Sequence, residues 1–402
     1  MDLFKPIKKL PDDRCHPKFL ELRDQRLFEG KIIENWANGM EDRDGKFVRE
    51  FQETFHSAFW EILIYRILTD AGYDLDQTHP MPDFYIKSPK IFIEAVTANI
   101  TGEQAAKIKA EIEEYIASNE HIHKNDSISA MRSSAYGNLR SPIDQYNSLL
   151  PAYLNEDFYP NLIYSVIRYS NAISYKLKKY NETYLLKEWV DVKNPFVIAM
   201  ASFDKFTYGT EYIYPMIALL YGLIYNPETD TYAEKEKVNK TSTDTIDIGL
   251  FKKEEYSQVS AIMFTCTLTI GKLSSSLISN GLPSMGSVFT IHENSTANES
   301  SNSSINLRYQ AKVITPDYKE EISEGVFIFH NPNASNPIPA SFLANTCVTN
   351  YYLEDGEIRV KGSNPPLVAR YNSFLPIEVL IPSIKELMKQ YNHITIEEFY
   401  SE

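Results

Sequence analysis

The chain has 402 residues, 43% hydrophobic and 13% aromatic, with 54 acidic against 40 basic side chains and a net charge of −14. That composition excludes a disordered chain and allows two or three folded units, while the acidic balance disfavours nucleic-acid binding by phosphate neutralisation alone. The N-terminal MDLFKPIKKLPDDRC carries charges where a signal peptide needs an apolar run, no stretch reaches the roughly 18 apolar residues of a membrane span, and three cysteines without metal spacing point to a reducing compartment. A cytoplasmic protein with no membrane contact is expected.

In chain order, residues 1–40 alternate charged and apolar positions in short bursts and predict one or two helices packed on a core. Asp42-Arg43-Asp44-Gly45-Lys46 follows, either a loop that brings Lys46 to a phosphate or an ordinary polar turn. A helix is expected over 51–71. It is apolar on nearly every side between Phe55 and Leu68, as in a helix covered by protein all round, and Glu61 is the one acid in that span. Two short strands come next, Phe84 to Lys87 and Ile91 to Val96, around a turn at Ser88-Pro89. Closing the hairpin at Lys87 and Lys90 sets Asp83 opposite Glu94, and two carboxylates across a strand pair repel. A divalent cation held by oxygen ligands is the usual compensation.

Residues 103–121 have helical periodicity, the polar, Ser-rich 123–146 reads as a loop or insertion, and His121 and His123, at the junction of the two, read as surface histidines. A second helix covers Arg168 to Leu186. At 100° per residue Ile173, Leu177, Tyr180 and Tyr184 form its buried stripe; Lys176 lies about 70° from the stripe centre, and Lys178 and Lys179 are expected to point away. A lysine on that edge either finds an acidic partner or snorkels to water. Phe196 to Ala201 and Val259 to Thr267 are unbroken apolar runs, as in strands buried on both faces. Between them lie an apolar helix near 210–225, with Pro215 at a break or a first turn, and a polar hairpin or loop to Phe251. Residues 292–306 are low-complexity and polar. A strand ending in Phe329 leads into His330-Asn331-Pro332-Asn333, where His330, Asn331 and Asn333 either contact phosphate and orient water or form a plain Asn-Pro turn. A terminal helix with a solvated charged face is expected in 375–400.

Pro82-Asp83, Glu94 on the following strand and Glu61 on the preceding helix resemble the PD-(D/E)xK nuclease superfamily, with Val96 where that pattern has its catalytic lysine. The segments DRDGKF, FWE, EAVTAN and FHNPNA are also similar to an uncharacterised bacterial family associated with that superfamily. The resemblance implies an α/β, restriction-endonuclease-like fold, a mixed central sheet flanked by helices. Residues 1–40 would be a helical segment, 41–290 the core with an insertion around 120–165, and 291–402 a C-terminal extension.

It further implies Mg²⁺- or Mn²⁺-dependent hydrolysis of DNA, or of RNA, in restriction or anti-phage defence, by a homodimer or with a defence-system partner protein. Asp83 and Glu94 would hold the metal, Glu61 would complete its shell, and Lys176 would take the role of the lysine that in some members has moved to the helix after the glutamate strand. Lys46, His330, Asn331 and Asn333 are the substrate-binding candidates. The alternative is a catalytically inactive fold kept as a nucleic-acid-binding or protein-interaction module, and a third reading ties the acids to Arg66 or lysines in a structural network.

Overall fold

The computed structural model describes residues 1–99, 158–203, 212–226, 229, 231–240, 243–284, 286–293, 309–373 and 394–396. Its helices are α1 (Pro17–Asp24), α2 (Leu27–Trp36), α3 (Phe47–Glu53), α4 (His56–Asp70), α5 (Phe158–Lys179), α6 (Tyr214–Tyr221) and α7 (Ile270–Ser279). The strands are β1 (Phe84–Lys87), β2 (Lys90–Asn99), β3 (Phe196–Phe203), β4 (Leu223–Asn226), β5 (Thr231–Glu234), β6 (Lys237–Asn239), β7 (Thr245–Asp247), β8 (Val259–Thr265), β9 (Ser287–Glu293), β10 (Tyr309–Val313), β11 (Phe327–His330), β12 (Thr349–Glu354), β13 (Glu357–Lys361), β14 (Leu367–Ser373) and β15 (Ile394–Ile396).

Seven strands form the central sheet in the order β1-β2-β3-β8-β11-β12-β13. The β1–β2, β8–β11 and β12–β13 pairs are antiparallel, whereas β2–β3, β3–β8 and β11–β12 are parallel. Because side chains alternate across a strand, the sheet divides two apolar layers. Phe92, Phe196, Ile198, Met200 and Phe264 pack with α5 and α6 on one face. Ile91, Ile93, Val197, Ala199 and Met263 pack with the N-terminal helices and α4 on the other. Being covered on both faces is why β3 and β8 read as unbroken apolar runs.

The α/β class and the flanking helices agree with expectation, and three features differ. The helix expected over 51–71 is two helices, α3 and α4, separated at Thr54 and Phe55. Residues 327–361 are no extension packed outside a core that ends at 290; they supply β11, β12 and β13 to the central sheet. A second sheet, β14-β9-β10-β15, gathers strands from both sides of that boundary. The helix expected in 103–121, His121 and His123, most of the 120–165 insertion and the polar run beyond Glu293 lie outside the described residues; so does the terminal helix expected in 375–400, except at 394–396, which form the strand β15 instead. Pro215 stands in the first turn of α6, where its missing N–H removes no helical hydrogen bond.

Candidate active site

Three elements converge where β1 begins. Helix α4 is anchored on the sheet by Trp60, whose indole N–H donates to the Ala199 carbonyl of β3 at 2.9 Å, and Glu61 is the next residue. The hairpin pairs Phe84 with Ile93 and Lys87 with Lys90, the register its alternation predicts; continued by one residue, it sets Asp83 opposite Glu94. Asp83 Oδ2 accepts a hydrogen bond from the Ala95 N–H at 2.7 Å, which ties the start of one strand to the middle of the other.

Glu94 belongs to the face of β2 that α5 covers, and its side chain is 0% exposed. Lys176 Nζ donates to Glu94 Oε1 at 2.6 Å, so the lysine on the helix edge has found an acid and does not snorkel away. Helix α5 holds that position because Arg168 donates to the Ala98 carbonyl at 2.8 Å. The helix advance from Arg168 to Lys176, about 12 Å at 1.5 Å per residue, matches the strand advance from Ala98 back to Glu94, about 13 Å at 3.3 Å per residue. Both contacts are therefore made at once by an unbent helix lying along the strand.

Lys179 corrects the expectation that it points away: its Nζ donates to the same Glu94 Oε1 at 3.1 Å. Residues i and i+3 are neighbours on a helix surface, so the side chain one turn beyond Lys176 has the same target. The helix then widens into a π-turn over Tyr180–Tyr184, which keeps Tyr184 buried beside Glu94. The Tyr184 hydroxyl and Glu94 Oε2 influence each other's protonation, yet each lacks a hydrogen bond of good geometry.

The charges are arranged unequally. Burial pushes Glu94 up, but Lys176 and Lys179 outweigh it and hold the carboxyl below its ordinary value. Burial and then Glu94 raise Asp83 to about 7, against the pull of Lys176 and the Ala95 N–H. Burial and then Asp83 push Glu61 well above the ordinary carboxyl range. Lys176 is disfavoured as a cation by burial but held protonated by Glu94 and Asp83. Acids whose protonation is set apart in this way, beside fixed cations, occur at catalytic sites and in buried ion-pair networks alike.

The remaining candidates stand apart. Lys46 has a 69% exposed side chain whose carboxylate neighbour is Asp44 at 3.6 Å. The Asp42 and Asp44 carboxylates accept from the N–H groups of Phe47 and Lys46, so the segment is an acid-capped turn leading into α3. His330 closes β11, three strands from β2 and so about 14 Å away at 4.8 Å per strand; its Nε2 meets Asn350 Oδ1 at 2.8 Å and its ring stacks on Tyr352. The Asn331 amide donates to the Tyr256 and Val259 carbonyls and its Oδ1 accepts from the Asn333 N–H, while the Asn333 amide donates to the Phe251 carbonyl. These groups serve a turn, the alternative the sequence left open. Arg66 pairs with Asp70 at 2.8 Å and so plays no part in holding the three acids.

Among the described residues, no group of three or more His, Cys, Asp or Glu side chains is arranged to hold a metal ion. A hard cation such as Mg²⁺ takes one or two carboxylates and completes its octahedron with waters and substrate oxygens; Asp83 and Glu94 are the carboxylates of that type at this site. Glu94 offers Oε2, buried and without a hydrogen-bond partner. Lys179 and Tyr184 are what sequence reasoning missed; the i+3 spacing from Lys176 was the available signal for the first, and the π-turn that places the second leaves no mark in periodicity.

Comparison with protein-family models, curated proteins and solved structures gave no match to this chain.

Proposed function

We propose that the protein is a Mg²⁺- or Mn²⁺-dependent nuclease with a restriction-endonuclease-like core, hydrolysing phosphodiester bonds of DNA in a restriction or anti-phage setting. The observation that carries the reading is Lys176 Nζ at 2.6 Å from Glu94 Oε1, because a lysine delivered from α5 replaces the one that Val96 denies to the strand. The order α4-β1-β2-α5-β3, with an antiparallel hairpin followed by a parallel crossover, supports the same reading.

Asp83 and Glu94 would hold the cation, which supplies charge neutralisation at the attacking and leaving oxygens. Lys176 stabilises charge developing on the phosphate, and Glu61 would complete the cation's shell directly or through water. Lys179 keeps Glu94 ionised when Lys176 turns to substrate. Lys176 and Lys179 are the cations that a phosphate would meet at close range, whatever the chain's net charge.

The test is incubation of supercoiled DNA, linear DNA and single-stranded RNA with the protein in Mg²⁺, Mn²⁺ or EDTA. Metal-dependent cleavage of DNA is expected, and cleavage that persists unchanged in EDTA rejects the mechanism. Metal binding without cleavage of any substrate selects the inactive binding or interaction module, the reading that Val96, half-buried against the core, favours.

A further inference from the structure

The DRDGKF segment has a structural partner in the stretch of chain that delivers Asp83. Residues 76–83 belong to no helix or strand. Their backbone groups are therefore not fixed by a ladder, and whatever donors meet their carbonyls decide where the stretch lies. Arg43, in the turn before α3, donates from Nη1 to the His79 carbonyl at 2.6 Å and, at a longer 3.5 Å, to the Pro82 carbonyl. Gln77 fastens the same two segments from the other direction: its Oε1 accepts from the Glu41 N–H at 2.9 Å, and its Nε2 donates to the Gly39 carbonyl at 3.0 Å. Arg43 and Asp83 line one small cleft.

A second anchor comes from the chain beyond α5. The Trp189 indole N–H donates to the Met81 carbonyl at 3.1 Å, and its ring lies flat on the His79 imidazole, with centroids 4.1 Å apart and planes within 3°. The carbonyls of His79, Met81 and Pro82 thus meet donors from two distant parts of the sequence. The stretch of chain that reaches Trp189 is also the one whose Lys176 and Lys179 bond Glu94, so a single segment bears on both acids.

We propose that Arg43 and Trp189 are positioning residues for Asp83: by fixing the carbonyls just before it, they hold its carboxylate at the Ala95 N–H and opposite Glu94. The contribution of DRDGKF to the site is then Arg43, acting through backbone, and not Lys46. The catalytic consequence rests on the nuclease reading, because a reacting group misplaced by about 1 Å can cost roughly 10²-fold in rate.

Arg43→Ala and Trp189→Phe test it, the second keeping a ring to lie on His79 while losing the indole N–H. Alanine-selective ¹⁵N labelling of the full chain reads two amides by hydrogen exchange: Ala95, which donates to Asp83 Oδ2, and Ala199, in β3 of the central sheet. Each variant should lower the protection of Ala95 about tenfold or more and leave that of Ala199 at the parent's level. Arg43→Lys, which can still donate to a carbonyl, should recover part of the loss. In DNA cleavage with Mg²⁺, Arg43→Ala and Trp189→Phe should lower kcat about tenfold or more with KM within about twofold of the parent's. Ala95 protection that neither variant changes overturns the proposal, as does its loss together with that of Ala199, which marks a general weakening of the fold. So does an unchanged kcat in variants that have lost Ala95 protection. A parent that cleaves no substrate removes the nuclease reading instead, and the exchange result alone then decides whether the two residues hold Asp83.

Discussion

Lys176→Ala separates the chemistry of this site from its architecture. Removing one partner of a buried ion pair costs about 3–5 kcal/mol when the other charge is left uncompensated. Here the compensation is partial, because Lys179 still donates to Glu94 Oε1 at 3.1 Å, through a side chain that is 34% exposed against 13% for Lys176. A loss of about 1–3 kcal/mol follows, or several degrees of melting temperature at roughly 2–4 °C per kcal/mol for a large domain. Lys179→Ala, with Lys176 retained, should cost less than about 1 kcal/mol. The double variant should lose more than the sum, since both lysines meet one oxygen and only their joint removal strands it. Cleavage should follow another order: down by about 10² to 10³ for Lys176→Ala, the usual size of losing one preorganised charge stabiliser, and much less for Lys179→Ala. Melting curves and single-turnover cleavage on the three variants test both orders. Additive stability losses, or equal cleavage by the two single variants, would refute the reasoning that one lysine acts on substrate while the other secures Glu94.

Asn331→Ala removes two donors to buried carbonyls and an acceptor for the Asn333 N–H; it should cost about 1–3 kcal/mol in denaturant unfolding while any Mn²⁺ binding measured for the parent stays unchanged. His292 is 3% exposed, and burial, ahead of the nearby Lys312 and Arg370, holds its pKa down to about 4 against an ordinary 6.5. The unfolded chain takes up this proton first, so the stability due to His292 is full above pH 6.5 and is lost as pH falls from there toward 4. That contribution is roughly 3 kcal/mol, and the difference in unfolding free energy between the parent and His292→Gln should shrink over that window; a difference independent of pH contradicts it.

What could be read from the sequence was local. The register of β1 and β2 followed from their alternation and from the turn at Ser88-Pro89, and with it the opposition of Asp83 and Glu94. Lys176 stood out because a cation on the edge of the stripe Ile173, Leu177, Tyr180 and Tyr184 needs a partner, and its partner is the predicted acid. Lys179 was misjudged because angular distance from a stripe ignores the reach of a lysine side chain, which here bends back to a carboxylate one turn away. Of the three central-sheet strands beyond residue 290, β11 was legible as the strand ending near Phe329, while β12 and β13 were not. β13, with the sequence EIRVK at the sheet edge, is charged and mostly exposed, as edges must be to resist pairing with other chains, and nothing local tells which strand it joins. Asn331 and Asn333 had two readings in the sequence because an amide that satisfies carbonyls and one that meets phosphate need the same letters.

Asp83 and Glu94 are proposed as a cation site at which phosphodiester bonds are cleaved. Mn²⁺ titration of the parent and of Asp83→Ala, followed by DNA cleavage on the same samples, tests it most directly. A saturable site is expected in the parent, with its loss in Asp83→Ala together with all cleavage, and a melting temperature in metal-free buffer that is equal or higher once the repulsion with Glu94 is gone. Cleavage by Asp83→Ala at the parent's rate, or Mn²⁺ binding that the substitution leaves intact, contradicts it.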